Sequence, residues 1–118
     1  MALNAYCQLA FSEQLLTLLN AGLPLLNAVE LIQSSAPKDW QPWLERIQEQ
    51  LKKGYSFSQS LATLGDLFSI ELINLIRVSE RTGDMPLALE IILQFLRAHV
   101  RHLDQAQVRQ VGCRGFDI

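Results

Sequence analysis

The chain has 118 residues, 49% hydrophobic and 19% charged, which is enough apolar surface for one buried core and too much for intrinsic disorder. A net charge of −2 and a pI near 5.6 leave no basic excess to neutralise phosphates, so nucleic acid is excluded as an expected partner. The two cysteines, Cys7 and Cys113, stand near opposite ends without a CxxC pair; neither a disulfide framework nor a zinc knuckle is expected, and a reducing compartment fits.

Between the glycines and prolines the apolar residues recur at three and four rather than at two, which predicts an all-α fold, one compact bundle of about six short helices. In the first helix Phe11, Leu15, Leu16, Leu18 and Leu19 share a broad stripe, Glu13, Gln14, Thr17 and Asn20 take the other side, and the helix ends near Ala21. Gly22 can adopt the left-handed conformation that closes a helix. Pro24 follows where a new helix can start, because its missing N–H would have no partner there. The second helix offers Leu25, Leu26, Ala28, Val29, Leu31 and Ile32 before Ser34, Ser35 and Pro37 stop it.

A third helix is predicted from near Asp39, with Pro42 in its first turn, an apolar face of Trp43, Leu44, Ile47 and Leu51, and a stop at Gly54. Lys52 and Lys53 complement its carbonyl end. Ser56 and Gln59 form a capping-box pattern that opens a short fourth helix through about Leu64, followed by a turn at Gly65 and Asp66. Ser69 caps a fifth helix in which Leu72, Ile73, Leu75, Ile76 and Val78 are apolar and Glu71, Asn74, Arg77 and Arg81 face outward; Gly83 closes it. Asp84 and Pro86 restart the chain as a long last helix with Leu89, Ile92, Leu93, Leu96 and Val100 available for burial. From about Gln105 the periodicity fades. Residues 1–104 therefore read as one helical domain and 105–118, with Gly112, Cys113, Arg114 and Gly115, as a frayed or appended tail.

No basic n-region precedes an apolar stretch at the start, and no run of about 18 apolar residues occurs. The chain by itself is expected to be soluble, a state compatible with a membrane-tethered parent.

Catalysis needs a nucleophile, an acid or base and an orienting partner held together. The chain has no GxSxG, P-loop, HExxH or GxGxxG, so the expectation is a protein that is not an enzyme and takes no cofactor. His99 and His102 lie close to one helical face, where with Asp104 they could hold a divalent metal; flanked by Arg97 and Arg101, they read better as a solvated helix end. Glu80 precedes a helix-closing glycine. A carboxylate there is most simply a surface charge or a tie on the adjoining loop, although with carbonyls of the 81–84 turn it could help hold a hard cation such as Ca²⁺. Of the two tryptophans, Trp43 is expected in the core and Trp40, at a helix start, on the surface as a binding candidate.

The corners carry a resemblance. The run LTLLNAGLPLLNAV at 16–29 resembles the "LxxLLxAGxPLxxAL" signature of the F-family platform domain of type II secretion and type IV pilus systems, LKKGYSFS at 51–58 its "LxxGxSLS", and SERTGDM at 79–85 its "GExSGxL". Ser79 stands where that family usually has glycine, and Phe68-Ser69 where Phe-Pro is common. The resemblance covers roughly residues 8–103 and implies a domain from a multi-pass inner-membrane platform protein, placed at the cytoplasmic face. Its implied partners are the assembly ATPase, other platform proteins or a second copy of itself, and it would do no chemistry of its own. The alternative is a free-standing cytoplasmic helical adaptor.

In such a parent the last helix, with Arg97, His99, Arg101 and His102 near its end, would run toward the membrane, since basic residues gather on the cytoplasmic side of a span. Partner contacts would then fall elsewhere, with Trp40, Glu71, Arg77, Glu80 and Arg81 as the candidates. The structural corners are Gly22, Pro24, Gly54 and Gly83.

Overall fold

A computed structural model describes residues 5–65 and 67–107, with side chains up to residue 103. Asp66 and the predicted tail past Gln107 lie outside the described residues. Six α-helices occur among those described: α1 (Ala5–Asn20), α2 (Leu25–Ser35), α3 (Gln41–Lys52), α4 (Phe57–Ala62), α5 (Ile70–Thr82) and α6 (Met85–Gln107), with a single 3₁₀ turn at Lys38–Trp40. Each helix packs on its neighbours in sequence and α6 closes back on α1, so the bundle forms through local contacts plus one long-range closure. No helix among the described residues is long and apolar enough to cross a membrane.

The start signals act as the sequence predicts. Ser56 Oγ accepts from the Gln59 N–H while Gln59 Oε1 accepts from the Ser56 N–H, completing the capping box of α4. Ser69 Oγ accepts from the Leu72 N–H to cap α5, and Asp84 Oδ1 accepts from the Leu87 N–H at the start of α6.

Phe11, Leu15, Val29, Ile32, Leu44, Ile47, Leu61, Ile76 and Ile92 form the centre of the core. At one end of it Trp43 meets Phe11 edge-on at 5.1 Å and Phe68 at 5.4 Å, in the T-shaped geometry that aromatic quadrupoles favour.

Trp40 belongs to this cluster. It is 7% exposed, with its ring 5.4 Å from that of Trp43, which corrects its expected place on the surface. Trp40 ends the 3₁₀ turn and directly precedes α3 with helical backbone, and residues three apart on a helical path are neighbours, which sets Trp40 beside Trp43. Of the apolar residues of α2 and α5, Leu31 is 50% and Val78 56% exposed. Val78 is two positions from buried Ile76, and residues two apart in a helix do not share a face.

A glutamine cluster joins the end of α2 to α3. Gln33 Nε2 donates to Gln41 Oε1 at 2.9 Å, Gln41 Nε2 donates to the carbonyls of Gln33 and Ala36, and Gln48 Nε2 donates to Gln33 Oε1. The Ala36 carbonyl gains a partner in this way, and the Gln33 carbonyl, which also accepts the Ala36 N–H, gains a second.

Candidate functional site

The three predicted corners fall into two geometries. At Gly22 (φ +96°) the Leu23 N–H reaches the Leu18 carbonyl and the Gly22 N–H the Leu19 carbonyl, at 3.1 and 3.0 Å. At Gly54 (φ +97°) the Tyr55 N–H reaches Gln50 and the Gly54 N–H Leu51, again at 3.1 and 3.0 Å. Both are Schellman closures. Gly83 (φ +80°) instead makes one bond, N–H to the Ser79 carbonyl at 2.7 Å, the simpler left-handed closure. The shorter form leaves Asp84 free to act at once as the cap of α6. Pro24 stands immediately before α2 in extended conformation, and its carbonyl accepts the Ala28 N–H at 2.9 Å.

A Cβ added at any of these glycines would meet nothing within 4 Å, so substitution acts through backbone conformation alone. Valine at Gly22, Gly54 or Gly83 is expected to lower stability by about 1 kcal/mol or more per site, and asparagine by less, because asparagine tolerates the left-handed region. Thermal melts of the six variants check this; valine variants that melt with the parent would remove the corner argument.

Glu80 is exposed, yet both of its carboxylate oxygens are engaged. Its Oε2 accepts from the Ser58 N–H at 2.8 Å and its Oε1 from Ser58 Oγ at 2.7 Å. One carboxylate thus pins the end of α5 to the first turn of α4, where a negative charge also complements the unpaired N–H groups. Between the sequence readings, the geometry is that of a tie on the adjoining element, with both oxygens engaged by protein. Ser58 was not foreseen as the partner, since it lies 22 positions away with no periodic relation to Glu80.

The two departures from the family signature are absorbed locally. Ser79 is buried and its Oγ donates to the Ile76 carbonyl at 2.6 Å, so the hydroxyl is satisfied within its own helix. Ser69 starts α5 by a side-chain cap.

Glu71, Arg77 and Arg81 are exposed along α5, and Arg77 Nη1 donates to exposed Asn74 Oδ1 at 3.1 Å. Trp40 is buried in the aromatic cluster, so it does not share the exposed surface of the other four interaction candidates. His99 and His102 are exposed on α6, and no group of three or more possible metal ligands occurs among the described residues. Arg97 Nη2 pairs with Glu13 Oε2 of α1 at 3.1 Å, and Lys52 with Glu30 of α2 at 3.9 Å; both are surface pairs that contribute little. An open cleft of about 330 Å³ between α1 and α2 is lined by Glu13, Gln14, Thr17, Leu18, Leu31, Ile32 and Ser35.

Residues 11–112 match the family described as "Type II secretion system (T2SS), protein F". The chain is 34% identical over 74 residues, 62% of its length, to "Protein transport protein HofC homolog" of Haemophilus influenzae, of which it covers 18%. To "Type IV pilus assembly protein PilC" of Thermus thermophilus it is 32% identical over 87 residues, 73% of the chain and 21% of that protein. With "Type 4 fimbrial assembly protein PilC" of Pseudomonas putida it shares 35% identity over 81 residues, 68% of the chain and 20% of the relative. The chain thus spans about a fifth of the length of these relatives.

Proposed function

The chain belongs to the type II secretion system protein F family, and on that premise we propose that it is a non-enzymatic scaffold domain of an inner-membrane platform protein for type II secretion or type IV pilus assembly. It stands at the cytoplasmic face and binds the assembly ATPase and other platform components. The names of its relatives, protein transport on one side and pilus or fimbrial assembly on the other, support the machine. The observation that carries the scaffold role is where the family signature falls: its three segments supply the helix closures at Gly22, Gly54 and Gly83 and the Glu80 tie to Ser58. They specify the shape of a rigid bundle, and a rigid bundle acts by what its surface presents.

The basic end of α6 is the membrane-proximal end in this reading, since an anionic leaflet attracts such residues. Contacts with machine partners fall on the exposed side chains of other helices, led by Glu71, Arg77 and Arg81 of α5. Glu80 supports that surface by holding α5 against α4. Trp40, being buried, contributes through the core alone.

A capture assay with the cognate ATPase and platform proteins tests the assignment. Charge reversal at Glu71, Arg77 or Arg81 is expected to weaken capture severalfold, mainly through complementarity and on-rate, while Arg97→Gln and Arg101→Gln leave it unchanged. Loss confined to the arginine pair on α6 would reverse the orientation. Failure to capture any machine component would return the chain to the free-standing adaptor.

A further inference from the structure

α6 carries large apolar side chains on two sides. Leu89, Ile92, Leu93, Leu96 and Val100 are in the core. Leu87, Ile91 and Phe95 are 51%, 44% and 59% exposed, and their steps of four place them in one strip along the outer surface. Exposed Ala98 and His102 continue the same strip by helical spacing. Glu90, Gln94, Arg97 and Arg101 run beside it as a separate polar strip, turned toward α1 by the Arg97–Glu13 pair. From Ile91 to Leu103 the helix has two arginines and two histidines, with Glu90 just before this stretch and Asp104 just after it.

An uninterrupted apolar strip beside a cationic helix end is the chemistry of a surface that is itself apolar within and anionic at its border. The strip lies on a convex helix face. A peptide helix is bound in a groove, whereas a bilayer receives a convex face directly. We propose that the outer face of α6 seats on an anionic phospholipid surface, with Leu87, Ile91 and Phe95 at the boundary of headgroups and acyl chains and Arg101 among the phosphates. The inference rests on the reading of the basic end of α6 as membrane-proximal and modifies its orientation: α6 (Met85–Gln107) lies inclined along the surface, so that its outer face from Leu87 onward makes the contact as well as its basic end.

The test is co-sedimentation of the whole chain with vesicles of phosphatidylethanolamine containing phosphatidylglycerol, and with vesicles of phosphatidylcholine alone. Binding is expected to the anionic vesicles and to weaken with salt. Phe95→Ser and Ile91→Ser should each lower partitioning roughly five- to tenfold, and Arg101→Gln about fivefold. Leu31→Ser, at an equally exposed leucine of α2, should change nothing. Because all these positions are exposed, helicity by circular dichroism should be retained. A parent chain that fails to bind anionic vesicles overturns the proposal. So does retention of binding in both strip variants; if Arg101→Gln alone reduces it, the basic end stays membrane-proximal and only the strip contact falls. A self-association in sedimentation equilibrium that Phe95→Ser abolishes, without vesicle binding, would assign the strip to a second copy instead.

Discussion

Trp40→Ala is expected to destabilise the domain by about 3–5 kcal/mol, the range for emptying a large aromatic site in a packed core. The side chain is 7% exposed. Its ring lies 6.4 Å from that of Phe11 at 82° and 5.4 Å from that of Trp43, so truncation removes two aromatic contacts as well as apolar burial. Set against a total stability of about 5–15 kcal/mol for a typical domain, this is roughly a fifth of the whole or more, and the melting temperature should fall by on the order of 15 °C. Urea unfolding followed by the remaining tryptophan, Trp43, measures it. A loss under about 1 kcal/mol would mean that residue 40 is a surface residue after all. The result also separates two roles, because a binding hot spot would lose partner affinity with the melt unchanged, whereas Trp40→Ala should lose the melt first.

The second large effect is expected at Glu80. Glu80→Ala removes two charge-assisted bonds and leaves the N–H of buried Ser58 without its acceptor, the hydroxyl keeping only Ser56 Oγ at 3.2 Å, at a cost of roughly 2 kcal/mol. Glu80→Gln should cost less, since the amide keeps one oxygen to accept the Ser58 N–H. A double-mutant cycle with Ser58→Ala isolates the tie: coupling of about 1 kcal/mol is expected, read by urea denaturation. Strict additivity of the two substitutions would show that the carboxylate acts on something other than Ser58. If the tie sets the angle of α5, Glu80→Ala should also weaken any capture of the proposed machine partners that Arg77 and Arg81 substitutions weaken, although its carboxylate faces α4.

Much of the fold was legible because its signals are local. Periodicity of three and four fixes helix type within a few turns. A positive φ is a demand on one residue, and so Gly22, Gly54 and Gly83 could be placed as corners before any contact was known. The same holds for the capping box of Ser56 and Gln59, whose partners are three residues apart. Of the candidate site, the exposure of Glu71, Arg77 and Arg81 could be read from the helical phase of α5 alone.

What the sequence could not determine depends on which elements come together. The pattern put Trp43 in the core and Trp40 on the surface, because whether the start of α3 is covered depends on the aromatic side of α1 and on Phe68 arriving there. Glu80 was recognisable as a corner carboxylate, while its partner Ser58 follows only from α4 folding against α5. Gln33, Gln41 and Gln48 look like ordinary surface amides until α2 and α3 place them together. On α6 the sequence offers apolar residues on nearly every side, and only the positions of α1 and α5 decide that Leu89, Ile92 and Leu96 are buried while Leu87, Ile91 and Phe95 are left outside. Helix formation is set by each residue's near neighbours, but burial requires a second surface, and the bundle geometry alone decides which face receives one.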